Sequence, residues 1–282
     1  MVSKHIMHLC LRFRVFSLVF LFGLSTFSYS EESIELLLGR FQQGNLIVAK
    51  TSPLNTVHVN DRLVSVDKQG RFTFGIGRDD TDDIVITIKQ PSMELIKRSF
   101  PIESRSYNTQ KITGVDQKYV SPAKEVLERI QQDNRQVKQA RSKSAALPIF
   151  FDSGFIWPAD GPITGVYGSQ RVFNGVPKRP HFGLDIAGPV GTKVIAPASG
   201  TVMLAHDDMY YSGGTLIIDH GFGISSTFIH LSDIHVNIGQ KVQQGELIAD
   251  IGATGRVTGP HLDWRINWYN QRLDPQLLLP SR

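Results

Sequence analysis

Histidine and aspartate recur at short spacing in three places in the second half of this 282-residue chain. The first run is His181-Phe182-Gly183-Leu184-Asp185 and the last is His261-Leu262-Asp263, with His230 between them in the apolar stretch STFIHL. Imidazole and carboxylate are side chains that hold zinc, and a catalytic zinc site keeps one position open for water. The metal lowers the pKa of that water to about 7, making hydroxide available at neutral pH. The spacing constrains the backbone. His181 and Asp185 would share one face of a helix, but Gly183 between them and Gly188-Pro189 after them argue against a helix. On a straight strand the two would stand about 13 Å apart, at roughly 3.3 Å per residue. A shared ion therefore requires a bend, which Gly183 permits. His261 and Asp263 are two apart, so on a strand both point to one face. One can ligate while the other holds the attacking water.

The elements that must position these residues are strands. From residue 149 onward Gly and Pro recur every few residues, and LIID, STFIHL and ELIADI read as strands. The expected architecture is an antiparallel β-domain with an open groove across one face. Loops on a rigid β scaffold commonly carry binding residues. Tyr167, Arg171, residues 173–179 and the polar loop 206–213, with Tyr210 and Tyr211, are the candidates to line the groove. His206, at the start of that loop, His220, in a DHG turn, and His235, facing solvent, read as structural or incidental. Residues 236–255 also resemble half of a lipoyl or biotinyl carrier domain. A carrier needs a modifiable lysine at a hairpin tip, and Lys241 precedes a strand instead.

Residues from about 150 to 282 resemble the LytM/lysostaphin family of zinc endopeptidases, which cut peptide bonds in bacterial peptidoglycan. The resemblance rests on several motifs in order: the opening H-x-x-x-D, the strand pair GTLIIDHGFGISSTFIHLS, the hairpin VNIGQKVQQGELIADIGATG, the strand TGPHLDW and the closing DPQLLL. It implies a fold related to barrel-sandwich hybrids. It also implies that His181 and Asp185 are zinc ligands and that His230 and His261 are catalytic residues that do not bind the metal. The family's third ligand is the second His of an H-x-H pair, and here that position is Asp263, which the reading keeps as a ligand. The implied cofactor is Zn²⁺ and the implied substrate is a peptide stem or cross-link of peptidoglycan. Some members have lost ligands and act as regulators that bind cell wall or activate separate cell-wall amidases, so such enzymes are alternative partners.

The rest of the chain divides into a leader at 1–30, a small all-β domain at 31–115, a helical linker at 116–148 and the peptidase-like domain at 149–282. Lys4, Arg12 and Arg14 precede an apolar run, and Ser28-Tyr29-Ser30 offers small residues for cleavage, the pattern of a secretory signal. Export to the periplasm or cell envelope follows, with no stable membrane span after cleavage. The one cysteine, Cys10, falls in that leader, so the mature chain relies on an apolar core and not on disulfides. The formal charge of +4 drops to +1 without the leader, which gives no clustered basic surface for nucleic acid. NLIVAK, TVHVN, RLVSVD, RFTFGIG and DIVITIKQ are short alternating strands broken by turn residues, and they suggest a small β-sandwich. Domains of this kind often precede peptidases of the resembled family. Asp79, Asp80, Asp82 and Asp83 lack EF-hand spacing and read as a solvated loop. Ser121 and Pro122 suit the start of one connecting helix that runs to about 145, with an apolar stripe of Val126, Leu127, Ile130 and Val137.

Overall fold

The first strands follow directly from alternation. A computed structural model of the chain describes residues 34–114, 116–120, 122–142, 144 and 153–281. The expected leader at 1–30 and most of the linker RSKSAALP lie outside them. Strands β1 (Glu35–Leu38), β2 (Leu46–Lys50), β3 (Thr56–Val59), β4 (Arg62–Val64), β5 (Arg71–Gly75), β6 (Ile84–Lys89) and β7 (Leu95–Phe100) form two antiparallel sheets, ordered β1-β2-β5 and β4-β3-β6-β7. In β6, Ile84, Ile86 and Ile88 are buried while Val85 and Thr87 are half-buried, the period-two pattern of a strand with one covered face. The β3–β4 hairpin turns on Asn60 and Asp61, whose φ values of 47° and 65° match the right-handed strand twist. Asp67 holds the next turn, accepting from the backbone of Gln69 and Arg71 and from Arg71 Nε. Asp80 caps a loop and accepts from Gly77 N and Gln271 Nε2, so it is structural.

Next come strand β8 (Thr109–Ile112), a short helix α1 (Gln117–Val120) and the long helix α2 (Leu127–Ser142), preceded by a 3-10 turn at Lys124–Val126. Helix α2 thus begins later than Pro122 predicts, and Ser121 lies outside the described residues. Leu127 is exposed, whereas Val137 and Ala140 pack on Leu204, Met209 and Ile217. The apolar stripe is therefore effective only in its last turns. Polar clamps fix the rest of the helix: Arg129 pairs with Asp208, Tyr210 N donates to Asp133, and Arg141 donates to Thr227.

The remaining strands are β9 (Ile163–Gly165), β10 (Gln170–Phe173), β11 (Val176–Pro177), β12 (Leu184–Ala187), β13 (Lys193–Ile195), β14 (Gly200–Met209), β15 (Gly213–Gly221), β16 (Ile224–Ile234), β17 (Lys241–Val242), β18 (Leu247–Ile251), β19 (His261–Trp268) and β20 (Gln271–Leu273). Their main sheet runs β17-β14-β15-β16-β19-β12-β9; off this path β18 pairs with β16 and β13, and β20 pairs with β19. The hairpin β15–β16 and strand β19 form its centre. Leu262, Trp264 and Ile266 point into the core, so His261, Asp263 and Arg265 point to the other face. His206 lies on β14, because that strand extends through the expected loop. His220 lies on β15 and is fully buried, with Nδ1 on Ser199 O at 2.8 Å and Nε2 on Ser226 Oγ at 2.7 Å.

Ser33–Arg282 forms one compact unit. A single apolar cluster contains Phe72, Phe74 and Ile76 together with Trp264, Trp268 and Leu273. A Cβ on Gly75 would lie 2.7 Å from a Leu273 methyl, so the two parts meet at backbone distance. Arg105 pairs with Asp274 at 2.9 Å across the same seam. A fragment of residues 149–282 would expose this apolar surface, which is worth about 25 cal/mol per Å². It is expected to melt well below residues 33–282 in a calorimeter, and an equal melting temperature would show that the seam contributes little.

Candidate metal centre and groove

Strand register brings the carboxylates together. Asp185 on β12 is the direct cross-strand partner of Asp263 on β19, so their side chains leave the sheet on the same face. His181 precedes β12. Its backbone N–H donates to Ser169 O and its carbonyl accepts from Gly168 N, both at 2.8 Å. The chain bends at Gly183 and returns His181 to Asp185. His181 Nε2 then lies 3.1 Å from Asp185 Oδ1, and Nδ1 lies 3.9 Å from Asp263 Oδ2. One ligand atom from each of the three residues falls within 4.8 Å of the others. The bend expected from spacing is present, and glycine is required there for a second reason. A Cβ on Gly183 would sit 2.1 Å from Asp263 Oδ1, and one on Gly165 would sit 2.2 Å from Asp185 Oδ2.

The three residues are buried, with His181 at 1% and Asp263 at 0% exposure. Both ring nitrogens of His181 and Oδ1 of Asp185 have no hydrogen-bond partner. Orphaned buried lone pairs are costly unless something meets them. The free imidazole nitrogen of His181 and Oδ1 of Asp185, converging beside a second carboxylate, are the donor set of a cation site, so these residues fit a metal ion. Two guanidinium groups flank the carboxylates. Arg171 on β10 donates to Asp185 Oδ2 at 2.5 Å. Arg265 grips Asp263 through both oxygens, Nε on Oδ1 at 2.9 Å and Nη2 on Oδ2 at 2.6 Å. Burial acts against both carboxylate charges, but His181 and the arginines outweigh it. The pKa of Asp185 is lowered, and that of Asp263 lies well below the usual carboxylate range.

His230 and His261 face the groove above, with ring centroids 5.0 Å apart. His230 Nδ1 lies 2.8 Å from Thr254 O and His261 Nδ1 lies 2.9 Å from Gly259 O. A carbonyl only accepts, so each Nδ1 carries a proton, and Nε2 is the nitrogen of each ring left to exchange one. His230 is a bulge residue. Its neighbours Ile229 and Leu231 pair with Thr215 and Gly214, which leaves it unmatched, with φ at +69°. Such bulges re-aim a side chain and are strained for a non-glycine residue. Burial, above all, lowers the His230 pKa to about 3, so the ring is neutral.

The groove itself holds about 170 Å³. Its lining includes Arg171 and Phe173, as expected from the sequence. Tyr167 is buried instead, donating its hydroxyl to Arg272 O. Sequence reasoning missed Gln110 and Ile112 on one wall and Arg256 and Thr258 on the other. Gln110 and Ile112 belong to β8, which pairs in parallel with β10 some sixty residues later. No local pattern announces such a pairing. Arg256 follows directly on the GATG end of the β18 hairpin stretch, and its charge beside small residues is the available signal.

A buried His/Asp/Asp cluster under a histidine-lined groove on a β scaffold defines a metallopeptidase-like site, and residues 179–275 are a domain of peptidase family M23. The chain is 32% identical over 206 residues to peptidoglycan DD-endopeptidase ShyA of Vibrio cholerae, covering 68% of this chain and 46% of that protein. It is 31% identical over 143 residues to murein hydrolase activator NlpD of Salmonella typhimurium, covering 51% and 35%. The chain thus spans less than half the length of these relatives, which include both a hydrolase and an activator. A solved putative peptidase M23 from Pseudomonas aeruginosa superposes with a TM-score of 0.67 at 28% identity, covering 86% of this chain and 96% of that one. The similarity of fold therefore extends beyond the matched domain into the first β sheets.

Gly183→Ala must displace Asp263 or the backbone of Trp264, which lies 2.9 Å from the added carbon. It is expected to cost about 1–3 kcal/mol and to weaken metal uptake in a chelator competition; unchanged affinity would show that Asp263 is not held by this contact. His220 and His230 have pKa values lowered by burial to about 4 and about 3, against about 6.5 in the unfolded chain. The unfolded state therefore binds more protons below pH 6.5. Stability is fully present above that pH and is lost as pH falls toward 4, by up to about 1.4 kcal/mol per pH unit for each histidine. Urea midpoints from pH 7 to 4.5 measure this loss, and His220→Gln is expected to reduce the slope by about one proton.

Proposed function

We propose that the chain is an exported zinc endopeptidase that hydrolyses peptide cross-links of bacterial peptidoglycan. The observation that carries the reading is the convergence of unpartnered ligand atoms on His181 and Asp185, beside Asp263, beneath two histidines whose Nδ1 atoms are held by backbone carbonyls. One imidazole and two carboxylates are an acceptable zinc donor set with a position left open. When bound, the ion supplies a water of pKa near 7 and polarises the scissile carbonyl. His181, Asp185 and Asp263 would hold it. His230, neutral through burial, keeps an unprotonated Nε2 that can take a proton from the attacking water, and His261 Nε2 lies on the same groove as its partner in that exchange. The same ring, once protonated, returns that proton to the leaving nitrogen. The hydrogen bonds from Nδ1 to backbone carbonyls hold each ring in place during that exchange. The substrate class is supported by the M23 domain and by a relative named as a peptidoglycan DD-endopeptidase. Export is supported by the basic and apolar pattern of residues 1–30. No helix among the described residues is long and apolar enough to cross a membrane.

A second reading, a non-catalytic regulator that binds wall or activates an amidase, draws on Arg265. That side chain already satisfies both oxygens of Asp263, and one relative is named as a murein hydrolase activator. Metal analysis separates the two. In the peptidase reading the purified chain retains about one zinc, His181→Ala loses it, and a metal-free parent that binds peptidoglycan would favour the regulator.

His230→Ala is expected to keep its zinc and lose about 10²–10⁴-fold in turnover, the usual range for a general acid or base. Loss of zinc from this variant would mean that the ligand set is wrong. Asp263→Ala is expected to bind zinc far more weakly, whereas Asp263→His keeps zinc and part of the activity. An Ala variant with parental affinity would remove Asp263 from the ligands.

A further inference from the structure

Arg256 enters the groove from the segment between β18 and β19. Its backbone N–H donates to Tyr211 O at 2.9 Å, which ties this segment to the β14–β15 turn. Its guanidinium lies over the rings of Phe173 and Tyr211, 5.0 Å and 4.7 Å from their centroids. The two arginines that touch the carboxylate cluster are spent on it: Arg171 on Asp185 and Arg265 on Asp263. Arg256 is half-buried and pairs with no carboxylate among the described residues. Burial is the leading influence on it and lowers its pKa from the usual arginine value, so the desolvated charge is only weakly compensated within the protein. The rings are not hydrogen-bond acceptors of the kind a carboxylate is, so the guanidinium's N–H donors remain suited to a two-pronged pair with a carboxylate.

We propose that Arg256 determines specificity by binding a free carboxylate of the substrate. This rests on the peptidase reading and names the substrate more closely. Arg256, His230 and His261 line one groove of about 170 Å³. Because Arg256 lines the same small groove as the two histidines, a carboxylate bound to it belongs to a residue near the amide held there. The substrate class is then an anionic cross-link, such as one to a diamino acid whose own carboxylate stays free beside the cut amide. A glycine bridge offers no carboxylate there. The same chemistry would also take the terminal carboxylate of a stem peptide.

The test uses the full chain and synthetic peptide dimers joined by a D-alanyl–diaminopimelate link. One dimer has all carboxylates free, one has the carboxylate beside the link amidated, and one has the terminal carboxylate amidated. For the parent, amidation at one of the two positions is expected to lower kcat/KM by about tenfold or more, the scale of a lost charge-assisted hydrogen bond, and the position identifies the carboxylate. Arg256→Gln should lower kcat/KM on the free dimer by a similar factor and treat free and amidated dimers alike. Arg256→Lys should restore part of the preference. Equal losses on every dimer, or a preference that survives in Arg256→Gln, would overturn the proposal and reduce Arg256 to a clamp on Phe173 and Tyr211. Fluorescence anisotropy with the same dimers keeps the question separate from catalysis. A parent that cuts none of them, yet binds the free dimer more tightly in a manner lost in Arg256→Gln, would sink the peptidase reading and support the carboxylate site. Binding and cleavage both indifferent to amidation would sink the site itself.

Discussion

The structure must hold two carboxylates side by side in a dry place. Asp185 and Asp263 are cross-strand partners on adjacent strands, both buried, and like charges in that relation repel. A buried charge survives only when paired and hydrogen-bonded. Each carboxylate therefore has its own arginine, and the arginines come from different places. Arg265 lies on the same strand as Asp263, two residues along, so β19 carries both halves of that pair. Arg171 comes from β10, which is flanked by β8 from the first part of the chain. The charge balance of the site thus reaches back into residues 109–112, and so does the wall of the groove. Gly165 and Gly183 complete the arrangement by leaving room where any side chain would collide with a carboxylate oxygen.

The histidines solve a different problem, that of keeping a base unprotonated and aimed. Burial removes the charge from His230, and a backbone carbonyl at each Nδ1 fixes a proton on that nitrogen in both rings. For His230 the aim also requires a left-handed backbone conformation inside a strand, held by a hydrogen bond from its N–H to Ser212 O at 2.8 Å. Strain of this kind, about 1–3 kcal/mol, persists only where the surroundings over-determine it. Here the surroundings are the paired residues on both sides of the bulge and Thr254, whose hydroxyl and carbonyl anchor Leu231 and His230.

Much of this was legible in the sequence. Spacing meant that a shared ion needs a bend, which Gly183 permits, and put His261 and Asp263 on one face, because side-chain direction in a strand follows from parity. The β class and the turns at Asn60-Asp61 and Asp67 were readable from residue type. What stayed hidden was non-local. The parallel pairing of β8 with β10 and the seam of Gly75 against Leu273 join residues far apart in sequence, with no local signature. The start of α2 was misplaced because cap residues signal that a helix can begin, whereas packing on β14 and β15 decides where it holds. His206 and His220 were assigned to a loop and a turn because polar and glycine-rich stretches resemble breaks. Both lie on long strands, and His220 is a buried bridge between Ser199 and Ser226.

Asp263 is the position where the two functional readings diverge, and its geometry bears on them. A carboxylate has two oxygens with about four lone-pair sites. Arg265 uses one donor on each oxygen, so the pair is saturated toward the guanidinium but not toward a second partner. A bidentate arginine also fixes the plane of the carboxylate, which a ligand requires before an ion arrives. The arginine shifts electron density away from Asp263, so the anion is a weaker charge donor than an unpaired aspartate. Two carboxylate ligands would formally neutralise a dication and weaken its pull on water. Arg171 and Arg265 offset that neutralisation from outside the ligand set. The occupied oxygens of Asp263 are therefore consistent with ligation, and the pairing that first suggests a lost site also provides the charge that a two-aspartate site lacks.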